Sequence, residues 1–187
     1  MSIHLISGHV VLALVLFRLA WGVVGGRHAR FASFVKGPGR VIGYARKLIK
    51  GDTSAHLGHN PMGGWSVLAM VGLLLLQAGT GLFSNDDILT EGPLVSLVSN
   101  ATSNFLTKIH SLGSIGLYVL IALHLAAVAF YTVKGHPIIG AMVTGHTVGK
   151  DLKGQDTPSS INVRGSGIAA VCIIIVTAAI AYAIKTY

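Results

Sequence analysis

The sequence predicts an all-α integral membrane protein in which four helices form a bundle. Its 187 residues are 52% hydrophobic and 11% charged, with a mean hydropathy of +0.69, whereas soluble domains are about 25% charged. Four apolar runs approach or exceed the ~20 helical residues that a hydrocarbon core requires. The runs are continuous rather than alternating, which favours helices over membrane strands. This composition excludes a disordered chain, a coiled coil and a nucleic-acid-binding domain.

The four predicted spans are apolar runs with few or no charges, and they cover residues 3–24, 63–83, 109–133 and 168–184. The fourth has 17 residues and is just long enough to cross. No Lys or Arg precedes the first run, so we interpret it as a retained helix rather than a cleaved signal peptide. Cys172 is the single cysteine, which excludes an internal disulfide and a thiolate metal cluster.

The loops between the spans predict the orientation of the chain. Residues 25–61 and 134–167 together carry 11 Lys and Arg residues, whereas the opposite side has Lys108 and Lys185. By the positive-inside rule, both basic loops of this multi-pass protein face the cytoplasm and both termini face outward. Arg18 lies near the inner end of the first span, from which its long side chain can reach the interface.

The first basic loop contains a further candidate element. Between Pro38 and Gly51, apolar residues such as Val41 and Leu48 alternate with Arg and Lys residues. This pattern is typical of a short amphipathic helix at the membrane interface. A plain solvated basic loop explains the same pattern equally well.

Two histidines of the third span, His110 and His124, are the main clue to function. They are 14 residues apart, which on a helix is about 40° short of four full turns and about 21 Å. The imidazoles therefore share a face, one near each side of the bilayer. Ionisable residues inside a span are costly and indicate function. Two stacked haem b groups would fit this spacing, and ligation by two histidines would restrict them to electron transfer. Hydrogen bonding between helices is the alternative.

Depth along the spans predicts the partner of His110. His4 begins the first span on the same outer side and matches His110 in depth. His9 lies five residues deeper and 140° round the helix, so only one of the two can face the same haem. We favour His4 and keep His9 as the alternative.

The same argument leaves His124 without an obvious partner. His124 lies about 13 Å from the inner end of its span, where the matching positions of the other spans hold no histidine. Met70 has the right depth, but a methionine at helical spacing usually serves packing. His59, just before Pro61, is more than about 10 Å too shallow.

Several short motifs occur together along residues 3–147. They are His-Leu-Ile-Ser-Gly at 4–8, Phe-Arg-Leu-Ala-Trp-Gly at 17–22, Ala-Arg-Phe at 29–31, Leu-Gly-His-Asn-Pro-Met-Gly-Gly at 57–64, Ile-His at 109–110, Leu-His at 123–124 and Gly-Ala-Met-Val-Thr-Gly at 140–145. Together they resemble the bacterial cytochrome b561 family, which includes the b-type cytochrome subunits of nickel–iron hydrogenases.

The resemblance implies a helical bundle in the bacterial inner membrane that holds two haem b groups between its helices. It implies electron transfer in the respiratory chain, between the quinone pool and a periplasmic or membrane redox partner such as a cytochrome c or a hydrogenase. It further implies that His4 and His110 ligate the outer haem iron and that His124 supplies one ligand of the inner haem. Arg18 and His59, within the matching motifs, are expected to be cofactor-binding.

We expect residues 1–150 to form the haem-binding membrane domain and residues 151–187 to add a C-terminal transmembrane helix. One departure bears on haem number: family members usually begin with another helix bearing Arg-x-x-His-Trp, whose histidine completes the inner site. The first span here resembles the family's second. We therefore expect about one haem b per chain, or two if an upstream helix or another chain supplies the ligand; self-association is left open.

A rival interpretation is a histidine-lined metal or proton transporter, or a membrane scaffold without haem. Metal transport usually uses carboxylates beside histidines, and no Asp or Glu lies within any predicted span. The spans also contain no carboxylate pair and no Ser-His-Asp set. The sequence thus favours an electron-transfer subunit rather than a stand-alone enzyme.

Overall fold

A computed structural model describes residues 2–26, 29–51, 60–86, 88, 90–135, 139 and 171. Within these ranges the helices, in chain order, are α1 (Ser2–Val24), α2 (Phe31–Phe34), α3 (Pro38–Ile49), α4 (Pro61–Gly81) and α5 (Asn100–Val133), with a 3-10 turn at Val95–Leu97. Extended pairing in the described part is limited to one bridge between Asn85 and Glu91. The predicted all-α membrane fold is confirmed.

Three of these helices, α1, α4 and α5, are long and apolar enough to cross a membrane. The predicted first span agrees with α1 to within one residue. The predicted second span, 63–83, is displaced by two residues, because the Asn60 side chain accepts a hydrogen bond from the Gly63 amide (2.7 Å) and Pro61 occupies the first helical position. Apart from Val171, the predicted fourth span lies outside the described residues.

The predicted start of the third span, Ile109, is wrong as a helix boundary. The α5 helix begins at Asn100, where Ser99 accepts a hydrogen bond from the Thr102 amide. Hydropathy misses the first nine residues because several of them are polar. The 34 residues of α5 span about 51 Å, against about 30 Å for a hydrocarbon core, so the helix extends beyond the bilayer.

The α4 helix lies between α1 and α5 and packs against both. A Cβ at Gly116 of α5 would lie 3.3 Å from Leu73 of α4, so a small residue permits this close approach. Most side chains of the three spans face outward, with 11%, 6% and 6% of the residues in their most apolar windows buried. Such extensive apolar exposure suits lipid rather than water.

The two ends of the bundle are named here by their contents. The His4 end contains the first turn of α1, the last turn of α4 and the loop at residues 82–99. At that end Asp86 accepts hydrogen bonds from the amides of Ile88 and Thr90 (3.0 and 2.8 Å), which shapes the loop. The loop is attached to α5 because Ser103 donates a hydrogen bond to the Phe83 carbonyl (2.8 Å).

The α3 end contains the last turns of α1 and α5, the first turn of α4, and both short helices. The predicted helix in the first basic loop is confirmed as α3. Its buried Tyr44 hydroxyl lies 2.6 Å from the Tyr131 hydroxyl of α5. The Trp65 indole of α4 donates to the Lys36 carbonyl (2.8 Å), so the segment before α3 is also attached to the bundle.

Candidate functional site

The structure brings His4 of α1 and His110 of α5 together at the His4 end. Their ring centroids are 5.9 Å apart and their planes are nearly perpendicular, at 88°. Both helices pack on α4, and the two rings meet at this end of the bundle. Pairing by depth in the sequence selected the same two residues.

The α4 backbone fixes the orientation of the His110 ring. His110 Nδ1 lies 2.9 Å from the Gln77 carbonyl oxygen. A carbonyl only accepts hydrogen bonds, so Nδ1 carries the proton and Nε2 retains its lone pair. Metal-ligating histidines are usually held by such a bond from the second nitrogen. The hydrogen bond therefore leaves His110 in the tautomer that a metal ligand requires.

Thr80 contributes to the same network. It is buried, its hydroxyl donates to the Leu76 carbonyl (2.7 Å), and it also reaches the Gln77 carbonyl (3.1 Å). The hydroxyl oxygen lies 3.4 Å from His110 Nδ1. Sequence analysis missed both Gln77 and Thr80, although each is a polar residue in the otherwise apolar last turns of α4.

Two glycines permit close contacts at this site, Gly81 with the His110 ring and Gly113 with the Gln77 side chain. A Cβ at Gly81 would lie 3.0 Å from the His110 ring, so glycine at this position lets the imidazole rest against the α4 backbone. A Cβ at Gly113, one turn along α5 from His110, would collide with Gln77 Oε1. This oxygen is buried and has no hydrogen-bond partner among the described residues.

The paired histidines line a cavity of about 320 Å³ between α1, α4, α5 and the loop at the His4 end. Its lining combines polar side chains, including those of Ser7, Gln77 and Thr107, with apolar residues that make up most of the wall surface. Metal–imidazole nitrogen bonds are about 2 Å long, so a metal ion between two rings separates their centroids by about 6 Å. The observed separation, the tautomer of His110 and the apolar wall all fit a haem iron with two histidine ligands.

His9 lines the same cavity but is arranged differently. Its Nδ1 lies 2.7 Å from the Leu5 carbonyl of its own helix, so its Nε2 also retains a lone pair. The ring contact with His110 is made by His4. The His4 ring is therefore beside His110, while His9 lies within the same cavity.

The structure does not assemble a second histidine pair in the described part of the chain. His124 is half-buried and has no hydrogen-bond partner among the described residues. The other described histidines, at positions 4, 9 and 110, lie at the opposite end of the bundle, about 21 Å away along α5. Met70 is half-buried on α4, and His59 lies outside the described residues.

Arg18 lies away from the His4 and His110 pair. Its guanidinium donates to the Ala29 carbonyl (3.1 Å) and stacks over the Phe31 ring at 4.6 Å from the centroid. Arg18 follows His4 by 14 residues, as His124 follows His110, and α1 and α5 both run from the His4 end. Arg18 and His124 are therefore at similar depth, about 21 Å from the paired histidines.

A family model described as prokaryotic cytochrome b561 matches residues 1–145 and so includes all five described helices and the paired histidines. Neither the curated proteins nor the solved structures gave a match. Proteins of the matched family are membrane b-type cytochromes that bind haem b and transfer electrons. Since the match covers 145 of 187 residues, the chain belongs to the prokaryotic cytochrome b561 family.

Proposed function

We propose that this cytochrome binds one haem b at the His4 end, with His4 and His110 as axial ligands, and passes electrons between the quinone pool and a periplasmic or membrane redox partner. The single observation that supports the site most strongly is the 5.9 Å separation of the two imidazole rings in an apolar cavity. Family membership favours electron transfer over the transporter or scaffold that the sequence left as a rival.

The protein's own residues prepare this site before any ligand enters. The Gln77 carbonyl holds His110 Nδ1, so Nε2 is the free nitrogen of the ring. Two histidine ligands would leave no open site on the iron, so a haem held by His4 and His110 would supply one-electron transfer rather than oxygen chemistry.

A second haem at His124 stays a prediction with an incomplete ligand set. His124 and Arg18 share a depth, and an arginine there could pair with a haem propionate. A second axial ligand is still needed, from His59, from Met70, from an additional helix or from another chain. The described residues supply two histidines for the haem at the His4 end but only one, His124, for a second haem.

The orientation proposed from the sequence places the α3 end in the cytoplasm of a bacterial cell and the His4 end on the periplasmic side. The support is the concentration of Arg and Lys in residues 25–61 and 134–167. The paired histidines then lie at the periplasmic side, within reach of a partner there. Reporter fusions within residues 40–50 and near Asn85 test this orientation, and periplasmic signal from the first would contradict it.

The ligand assignment is tested by substituting one histidine at a time. H110A and H4A should each abolish low-spin haem at the His4 end, because each removes one of two axial bonds. H9A is the matched control, since it removes a cavity histidine from the same helix as His4 and should retain the haem. Haem content is measured as pyridine haemochrome per chain, with reduced-minus-oxidised spectra.

Two results separate the alternatives. Unchanged haem in H110A would refute the site. Loss of haem in H9A together with retention of haem in H4A would show that His9, rather than His4, is the ligand from α1. Membrane insertion of each variant is checked by fractionation, so that loss of haem is distinguished from loss of the protein.

A further inference from the structure

The α3 helix contacts the rest of the protein through only one of its faces. At 100° per residue, Val41, Tyr44 and Leu48 fall within one sector of about 60°, and these residues are buried or half-buried. This sector faces the bundle, since α3 packs on α4 and Tyr44 bonds to Tyr131 of α5. The remaining circumference of α3 is not covered by the described part of the chain.

The uncovered circumference has an apolar sector and a basic sector. Ile42 and Ile49 lie within about 20° of each other and are 54% and 86% exposed. The next sector, spanning about 120°, contains the four exposed cations Arg40, Arg46, Lys47 and Lys50. Going around α3, the sector packed on the bundle is therefore followed by an exposed apolar sector and then by a basic sector.

The four cations have no acidic partner in the described structure. No Asp or Glu occurs between residues 27 and 51 of the sequence. Among the described residues, none of the four makes a salt bridge or a side-chain hydrogen bond. Asp52 is the one acidic residue among residues 25–61, against seven basic residues, so this segment has an excess of positive charge to offer an anionic group outside the chain.

The contacts of α3 also fix its depth. Tyr131, which bonds to Tyr44, lies two residues before the end of the α5 span. Trp65, which bonds to the Lys36 carbonyl just before α3, lies in the second turn of the α4 span. Both spans end at this level, so α3 lies at the boundary between the hydrocarbon core and the aqueous phase.

We propose that α3 is a binding surface for anionic phospholipids. Ile42 and Ile49 enter the region where headgroups meet acyl chains, and the cations Arg40, Arg46, Lys47 and Lys50 bind the phosphate groups of the surrounding leaflet. Interfacial helices combine these two interactions, and each basic residue near an anionic surface adds to the attraction. The side chains of Arg and Lys have the reach to place charge in the headgroup layer. The proposal is independent of the haem site.

The test measures lipid selectivity of the full-length protein in bilayers that contain phosphatidylglycerol and phosphatidylcholine. A small amount of either lipid, spin-labelled on its acyl chain, is added, and electron paramagnetic resonance gives the fraction immobilised at the protein. The wild type should prefer phosphatidylglycerol several-fold at low salt. The preference should fall towards parity in 1 M salt, where the Debye length is about 3 Å.

The variant R40Q/R46Q/K47Q/K50Q should lose this preference, bringing the ratio close to one. The matched control R40K/R46K/K47R/K50R keeps every charge and should keep the preference. K108Q, at the other end of α5, should also keep it. Retention of selectivity in the glutamine variant, or an equal loss in K108Q, would overturn the proposal.

A second measurement uses the wild type alone, so it does not depend on the folding of a variant. Hydrogen exchange of the α3 amides is compared in nanodiscs of phosphatidylglycerol and of phosphatidylcholine. Exchange across residues 38–50 should be slower in the anionic discs, while α4 exchange stays the same. Equal exchange of α3 in the two lipids would contradict headgroup binding and would leave an acidic protein partner as the alternative ligand of this surface.

Discussion

The two ends of the bundle are built on opposite principles. At the His4 end, α1, α4 and α5 surround a cavity of about 320 Å³, and two imidazoles meet across it. At the α3 end, the described residues make direct contacts between elements: Arg18 stacks on Phe31, and Tyr44 bonds to Tyr131. The comparison teaches that, in the described part of the chain, one end surrounds a cavity whereas the other is joined by side-chain contacts.

The largest expected effect concerns haem number and would test this contrast directly. The 187-residue chain should bind about one haem b, and H124A should leave that haem in place, because the complete histidine pair lies at the other end. Pyridine haemochrome per chain and low-temperature spectra measure this. Two low-spin haems per chain in the wild type, one of them lost in H124A, would show that the α3 end is also a complete ligand site.

Removing the contact at the α3 end should affect stability but not the His4 end. Arg18→Leu removes a hydrogen bond to the Ala29 carbonyl and a cation–π contact, so we expect a loss of about 1–3 kcal/mol in the free energy of unfolding. R18K is the control, because it keeps the positive charge but replaces the planar guanidinium with an ammonium group. Unfolding is followed in detergent. A changed spectrum of the His110 haem in R18L would show that the two ends are coupled.

A pair of glycine substitutions sharpens the account of the His4 end. Gly81→Ala places a Cβ 3.0 Å from the His110 ring, whereas Gly79→Ala, half a turn away, meets nothing within 4 Å. Both raise helix propensity by up to about 1 kcal/mol, so propensity cancels in the comparison. Haem loss to an apo-protein acceptor should be several-fold faster in G81A than in G79A. Equal rates would mean that the ring does not rest against Gly81.

The smallest expected effect tests the hydrogen-bond network beneath the ligand. Thr80→Val removes a donor that competes with His110 for the Gln77 carbonyl, so the bond from His110 Nδ1 strengthens and the imidazole becomes a stronger electron donor. The haem midpoint potential should fall by roughly 20–40 mV, the equivalent of about 0.5–0.9 kcal/mol. T80S keeps the hydroxyl and should keep the potential. A rise in T80V would contradict this network.

Much of the fold followed from hydropathy, because the three described spans are apolar along their membrane segments. The start of α5 did not, since residues 100–108 are helical by virtue of the Ser99 cap and not of hydrophobicity. The depth argument nevertheless paired His4 with His110. The hydropathy profile locates the level at which a span enters the membrane. The depth of a histidine is counted from that level and not from the first helical residue, so the wrong start of α5 did not affect the pairing.

The parts of the site that escaped the sequence are those that depend on tertiary contact. The role of the Gln77 carbonyl is invisible in a sequence, because every residue has a carbonyl and only the packing of α5 on α4 selects this one. The placement of Arg18 over Phe31 is similar, since it requires the turn after α1 to fold back. His59 and the fourth span stay predictions.

The bond from His110 to the Gln77 carbonyl has a consequence for how the protein tolerates mutation. The acceptor belongs to the main chain, so no exchange of the side chain at position 77 deletes it. Substitutions at position 77 therefore leave the His110 imidazole in the same tautomer. An inserted or deleted residue in the last turns of α4, by contrast, would bring the carbonyl of a different residue to the position facing His110. The ligand is thus robust to point substitution at its partner and vulnerable to a shift of helical register.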